Sequence, residues 1–429
     1  MLKKILIKIL RNLSKKIIQK FKPDVVGITG SIGKTSSKEA IAAVLGSRFD
    51  VRHNFKNYNN EIGLPLTIIG IEKSPGKSLV GWIVVFVQAL KLLLGKNIEY
   101  PKILVLEMGA DKPGDIEYLV DIAPCKVGVL TYISHAHTEY FKTIKKIAQE
   151  KRVIISHLKA NGFAILNYDN SLVMENKNVT KAQVVTYGLK EGADLHATDV
   201  NVVIDTKTGW PAGLNFKVNY KGSIIPIYLG GVIAKQLISS ALAGLAVGTV
   251  YGINLVEGGQ TLAGLRPLPG HLCLIPGIKN SLIIDDTYNS SPEPTITALE
   301  TLSGIRIKEG AQRYAVLADM LELGPEMLNA HREVGLRVAE YGIDFLITVG
   351  EASKNTALAA REAGLDEHHI ASFADSVAAG KFLQEKLHEG DVVLVKGSQS
   401  MRMEKVVKEV MAEPEFAKDL LVRQDIEWN

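Results

Sequence analysis

The sequence predicts an α/β protein: a P-loop central domain with a mostly parallel sheet, followed by a second, Rossmann-like α/β domain. Three observations predict it. Strand-like and helix-like segments alternate from residue 24 onward. At 24–49 a strand runs through a glycine turn straight into a helix. The alternation then restarts beyond a proline- and glycine-rich junction, 265-LRPLPGH-271. The 429 residues allow two or three domains, and 46% hydrophobic residues support a sizeable core. The reading is therefore a basic amphipathic helix at 1–22, a central domain at 23–267 and a C-terminal domain at 268–429.

The elements follow in chain order. In 2-LKKILIKILRNLSKKIIQKF-21, Leu2, Leu6, Ile9, Leu10, Leu13, Ile17 and Phe21 recur at helical steps. Residues 1–22 hold eight bases and no acid; the net charge is +4, so the remainder of the chain carries −4. Two readings stand for this helix: attachment to an anionic membrane surface, or packing on the next domain. Positive charge confined to one end, not spread over the fold, argues against nucleic-acid binding. Next, 24-DVVGITG-30 is a short buried strand and 36-SSKEAIAAVLGSRF-49 the helix after it.

The run 79-LVGWIVVFVQALKLLL-94 is almost uncharged but shorter than the ~20 residues that span a bilayer. It dips into a membrane surface, lines a channel, or is a buried helix; the buried helix is the default. Strands follow at 103–110, 126–133 and 162–168, with a helix at 142–158. Residues 195–229 look like a small antiparallel meander, and a helix rich in small residues follows at 236–252. The second domain places strands at 281–286, 313–319, 344–350 and 391–397. Cys125 and Cys273 match no metal or redox spacing, and no secretory leader is expected. The expectation is a reduced, cytoplasmic protein, at the inner face of the membrane if the basic helix binds lipid.

The chemistry concentrates at strand ends. In 27-GITGSIGKTSSKEA-40 the glycines let backbone N–H groups approach phosphate oxygens, and the following helix adds its positive end. Lys34 would reach the outer phosphates and Thr35 would hold Mg²⁺. Glu107 closes the strand 103-ILVLE-107, facing the crevice where α/β proteins bind ligands, as a second Mg²⁺ ligand. Past the next strand, 131-TYISHAHTEYF-141 offers His135 and His137, either of which could bind metal.

In order, 27-GITGSIGKTSSKE-39, 57-NYNNEIGLPLT-67, 106-LEMGA-110, 135-HAHTEYF-141, 166-LNYDN-170, 285-DDTYNSSPEP-294, 319-DMLELG-324 with His331, and 395-VKGSQSMRME-404 resemble the motifs of the Mur ligase family, closest to its D-alanyl-D-alanine-adding members. The loop spelling agrees, since the family uses a compact Thr-Gly-x-x-Gly-Lys-Thr form, here 29-TGSIGKT-35. The resemblance implies a P-loop ATPase domain and an ATP-dependent amide ligase working through an acyl phosphate. It implies that Gly30, Ser31, Gly33, Lys34, Thr35 and Ser36 hold the ATP phosphates and that Asn289 contacts the nucleotide. It implies two Mg²⁺ ions, with Thr35 and Glu107 on the first and His137 on the second, and a carbamylated Lys151. Lys34, His137 and Lys151 become the catalytic set, and Asn60 and Glu61 a loop near the substrate.

The implied partners are a cell-wall peptide precursor and D-Ala-D-Ala; the apolar and basic patterns of residues 1–22 and 79–94 separately suggest peripheral membrane contact. Three departures accompany the resemblance. About 22 residues precede the ATPase core, where the family has a UDP-sugar-binding domain, so a partner supplying that domain is one expectation. His271 stands where Gly-Arg is usual, and Gln399 where Ser-Arg is. Two other readings remain: the same chemistry on a poly-glutamate or folate-like chain, and a non-catalytic ATP-binding scaffold.

Overall fold

The computed structural model describes residues 2–54, 58–134, 141 and 143–424. The chain divides into two compact units, Met1–Asn201 with Asn215–Leu229 and Lys235–Leu265, and Val202–Leu214 with Gly230–Ala234 and Arg266–Asn429.

In the first unit the elements run α1 (Leu2–Phe21), β1 (Asp24–Thr29), α2 (Lys34–Gly46), β2 (Val51–His53), α3 (Gly63–Ile69), α4 (Leu79–Leu94), β3 (Ile103–Glu107), α5 (Asp115–Ile122), β4 (Val127–Leu130), α6 (Ile144–Ser156), β5 (Phe163–Asn167), α7 (Ser171–Met174) and β6 (Gln183–Gly188). Then come β7 (Leu195–Ile204), β8 (Pro211–Tyr220), β9 (Ser223–Gly230), α8 (Gln236–Val250) and α9 (Leu255–Ala263). The sheet order is β2-β3-β1-β4-β5-β6-β7-β8-β9. β1 lies between β3 and β4, parallel to both, with Ile28 opposite Glu107 and Thr29 opposite Leu130. Both faces of these strands are covered, which is why they read as continuous apolar runs without alternation.

This register decides where the chemistry sits. The loop after β1, the carboxylate ending β3 and the segment after β4 all leave the same edge of the sheet. Behind the loop, α2 packs on α8; a Cβ at Gly244 would lie 2.9 Å from the Ala40 carbonyl oxygen. The small residues of α8 therefore serve close helix contact.

Two sequence expectations change here. The apolar stripe of α1 is used internally: Leu10 and Ile17 are fully buried, and Leu6, Leu13, Ile18 and Phe21 pack on the same core. α4, by contrast, is not a buried helix. Only Val85, Ala89 and Leu92 are buried, while much of its apolar surface faces outward. The meander at 195–229 exists as β7–β9 but extends the main sheet. Its connections of six and two residues are too short for parallel crossovers.

The second unit runs β10 (Cys273–Pro276), β11 (Leu282–Asp286), α10 (Pro292–Ser303), β12 (Arg313–Ala318), α11 (Met327–Glu340), β13 (Phe345–Val349), α12 (Lys354–Glu362), β14 (Ile370–Phe373), α13 (Ser376–Lys386), β15 (Val392–Lys396), α14 (Glu404–Val410) and α15 (Ala417–Leu420). Its sheet is ordered β10-β11-β15-β12-β13-β14, and every pairing but β10–β11 is parallel. β2, β10 and β14 escape the sequence reading because three or four residues carry too little periodicity. β6, 183-QVVTYG-188, escapes because its start is only half covered.

Candidate active site

The glycine loop is built tightly against the segment after β4. Ser31 N–H donates to the Tyr132 carbonyl at 2.6 Å, and Thr131 Oγ1 donates to the Ile32 carbonyl at 2.6 Å. Ser134 N–H donates to Ser31 Oγ at 3.1 Å. Gly30 has to be glycine, since a Cβ there would lie 2.0 Å from Thr131 Oγ1. Gly33, at φ 80°, is the left-handed residue that turns the chain into α2. The first turn of α2 thus opens onto the loop with no side-chain cap, as an anion site requires. Lys34 Nζ lies within the loop, donating to the carbonyls of Gly30 at 2.8 Å and Ser31 at 3.2 Å. Burial pushes its pKa down, against the pull of Glu107 and Asp111.

Glu107 is 2% exposed. Its Oε1 accepts from Asn59 Nδ2 at 3.0 Å, and its Oε2 has no partner among the described residues. A buried carboxylate oxygen without a donor is costly unless a cation completes it. Glu107 therefore fits the Mg²⁺ that the sequence reading assigns to it; Thr35, the other oxygen donor in that reading, lies in the first turn of α2. Among the described residues no three His, Cys, Asp or Glu side chains cluster as a metal set. The expected set draws only Glu107 from those types within the described residues. His135 and His137 lie outside the described residues.

One cleft gathers Lys34, Asn60, Glu61 and Lys151, all four singled out from sequence. Asn59, Asp111, Asp115 and Tyr118 line it too, and sequence reasoning missed them. Asn60 shapes its own loop, its Oδ1 accepting from Gly63 N–H at 2.9 Å and Ile62 N–H at 3.1 Å. Glu61 lies 3.8 Å from Lys3 of α1. The missed residues came without a signal, because each looks like an ordinary loop or helix polar residue until the fold brings it to the cleft.

Lys151 sits in α6 at 3% exposure. Its pKa falls to about 7, first through burial and then through the like charge of Lys34, against Glu150, Asp111 and Glu107. Among the described residues no carboxylate comes within ion-pair distance of its Nζ. Its neighbour Glu150, also buried, accepts from Gly114 N–H and Ile116 N–H, both at 2.8 Å. Glu150 thereby caps α5 and fixes the wall that carries Asp111, Asp115 and Tyr118. The far side of that wall meets α1. Arg11 and Lys15 both pair with Asp121, and the Arg11 guanidinium stands 5.4 Å over the Tyr118 ring.

The second unit holds its own strand-end network. Lys396, at the end of β15, pairs with Asp286 at 2.6 Å and donates to the Asn289 carbonyl at 2.9 Å. Asn289 Oδ1 accepts from Ser290 N–H at 2.9 Å. Asp285 is buried, which pushes its pKa up to about 6 despite donors from Thr287 and Gly270. His271 stacks on Tyr288 with ring centroids 4.5 Å apart, a contact a neutral imidazole makes without a charge. Gln399 opens a short 3₁₀ turn and is exposed. His331 is buried; its Nε2 accepts from Met320 N–H at 3.0 Å while Nδ1 meets the Met327 carbonyl at 2.8 Å. That imidazole pins the start of 319-DMLELG-324 in the neutral state, as its lowered pKa agrees.

Comparison with known proteins adds a family to this geometry. Residues 87–247 match the Mur ligase middle domain and residues 273–399 the Mur ligase, glutamate ligase domain. The UDP-N-acetylmuramoyl-tripeptide--D-alanyl-D-alanine ligase of Synechocystis sp. is 31% identical over 400 residues, 92% of this chain and 76% of that protein. The enzyme of the same name from Bacillus subtilis is 29% identical over 94% of this chain and 79% of its own length. The crystal structure of the MurF ligase from Thermotoga maritima, in complex with ADP, superposes with a TM-score of 0.75 at 28% identity. It covers 96% of this chain and 84% of that one.

Proposed function

This chain belongs to the Mur ligase family, and from that premise we propose that it joins a carboxylate of a cell-wall peptide precursor to D-Ala-D-Ala. It is an ATP-dependent ligase of the Mur type. The observation that carries the site assignment is the cleft into which the loop lysine, the Asn60–Glu61 loop and Lys151 all converge, lined also by Asn59, which donates to Glu107.

The reaction runs in two steps. The precursor carboxylate attacks the γ-phosphorus of ATP; the bond to the bridging oxygen breaks, giving an acyl phosphate and ADP. The dipeptide amine then attacks the acyl carbon, loses a proton, and phosphate departs with the C–O electron pair. The protein's task is positioning and charge neutralisation. Lys34 and the N–H groups opening α2 hold the phosphates and offset the repulsion between them and the incoming carboxylate. Glu107 and Thr35 would hold Mg²⁺, which supplies further neutralisation of the same charges when bound. Asn289 is a nucleotide contact in this reading.

Lys151 takes a different part. An amine with a pKa of about 7 is half neutral at neutral pH, and a neutral amine attacks CO₂: the N–C bond forms and a proton leaves to solvent. The resulting carbamate reverses the residue's charge and makes it an anionic oxygen donor beside Lys34. A carbamate on Lys151 with turnover that depends on it would favour a working site over an ATP-binding scaffold. The reaction belongs in the cytoplasm, where ATP is. Among the described residues no helix is long and apolar enough to cross a membrane.

The test is mass spectrometry of products from ATP, Mg²⁺, muramoyl-tripeptide precursors and D-Ala-D-Ala, with ADP release measured in parallel. A pentapeptide product dependent on D-Ala-D-Ala is expected. Stimulation by glutamate with no response to D-Ala-D-Ala would move the chain to the poly-glutamate reading.

A further inference from the structure

We propose that the outer face of α4 is a docking surface for an anionic lipid bilayer, which it meets lying in the plane of the interface. At 3.6 residues per turn, Leu79, Val80, Ile83, Val84, Val87 and Leu94 fall within one arc of about 140°. Leu90 and Lys91 are the only other residues in that arc. The seven apolar side chains are 49–81% exposed. The largest apolar patch on a monomeric protein is ordinarily about 300–600 Å²; seven large side chains on one helix reach that size.

The exposure is not fraying. The opposite face, Val85, Ala89 and Leu92, is buried in the core of the first unit. Ser78 caps the N-terminal end by accepting from Gly81 N–H at 3.1 Å. Lys20 of α1 caps the other end, donating to the carbonyls of Leu92 and Gly95 at 2.8 Å. The helix is rigidly mounted with its apolar side out.

Charge complementarity names the occupant. Exposed Lys73 and Lys77 precede the helix and exposed Lys91 and Lys96 sit at its end, against two acids, Glu72 and Glu99. α1 packs on α4 and carries seven bases and no acid, of which Arg11 and Lys15 pair with Asp121 and Lys20 holds the end of α4. Around this apolar face the exposed flanking lysines outnumber the flanking acids, four to two. Apolar residues at the centre and lysines around them are what an acidic lipid surface binds. A second copy of the chain would bring the same lysines against themselves. The helix is 16 residues long and does not cross the membrane. α1, whose stripe is already buried, contributes charge and not insertion.

The test uses the full chain and vesicle co-sedimentation, with phosphatidylcholine alone and with phosphatidylglycerol mixed in, at low and raised salt. The wild type is expected to pellet with the anionic vesicles, less so at high salt. Ile83→Glu/Val87→Glu is expected to reduce partitioning at least ~10-fold, and Lys91→Glu/Lys96→Glu to reduce both binding and its salt dependence. ADP release from water-soluble substrates serves as the folding control and stays unchanged in both variants. The proposal is overturned if the wild type remains in the supernatant, or if Ile83→Glu/Val87→Glu sediments like the wild type. It is equally overturned if light scattering shows a lipid-free dimer that this variant dissociates, since α4 would then be a homodimer interface.

Discussion

Lys396, at a strand end, and Lys151, within helix α6, show opposite uses of a buried cation. Both are 3% exposed. Lys396 is neutralised by Asp286 at 2.6 Å and tied to the Asn289 carbonyl, so its charge is compensated and its geometry set. Among the described residues Lys151 has no such carboxylate; it stands near the like charge of Lys34 and has its pKa lowered to about 7. Burial alone therefore does not identify a chemical residue. A paired buried charge holds structure together, whereas an unpaired one is a cost the fold tolerates only for some other reason.

The contrast is sharpest in stability. Lys396→Met leaves the Asp286 carboxylate buried and unpaired, and is expected to lower the unfolding free energy by about 3–5 kcal/mol; denaturant titration reads this directly. An unchanged midpoint would put Lys396 in the same class as Lys151. In turnover the order reverses. Lys151→Ala is expected to reduce ADP release about 10²–10³-fold, with no loss of melting temperature. Full activity would remove both the carbamate and the catalytic assignment.

pH separates the two further. The pKa of Lys151 is lower in the folded chain than in the unfolded one, so between about 7 and 10.4 the unfolded state binds more protons. Stability contributed by this residue therefore rises with pH across that window and is lost below about 7. Lys151→Met is expected to flatten the rise and to be the more stable protein at neutral pH and below, by about 1–4 kcal/mol. The neutral amine is also the form that takes up CO₂. Turnover at pH 6 should consequently respond to added bicarbonate more than turnover at pH 8, in the wild type but not in Lys151→Ala.

The smallest effect concerns the neighbour. Glu150→Ala removes the cap of α5 and is expected to cost about 1–2 kcal/mol of stability. By loosening the wall that carries Asp111 and Tyr118, it should raise KM for the peptide precursor more than it lowers kcat. A pure stability loss with unchanged KM would reduce Glu150 to a structural cap.

Much of this was legible in the sequence. The loop 29-TGSIGKT-35, the strand ends and most strands of both sheets follow from local patterns: glycines where backbone meets phosphate, and apolar runs where parallel strands are covered on both faces. Lys34 was picked out from its own loop, whereas Asn60, Glu61 and Lys151 were singled out only through the family resemblance. What local pattern carries poorly is the direction in which an apolar surface faces. α1 and α4 both read as candidate membrane elements, and only packing showed that α1 turns its stripe inward while α4 turns most of its own outward.

By itself, then, the sequence determined the α/β class, the glycine loop between strand and helix and the residue types available for ligation, because these depend on spacing along the chain and on backbone sterics. The tertiary structure alone decided that β1 lies between β3 and β4, so that Glu107, the loop and the post-β4 segment share one edge. It alone decided that Asn59 meets Glu107, that Glu150 caps the cleft wall, and that Lys396 has a carboxylate that Lys151 lacks among the described residues. Electrostatic environment and solvent exposure are set by neighbours distant in sequence, and those neighbours exist only once the chain has folded.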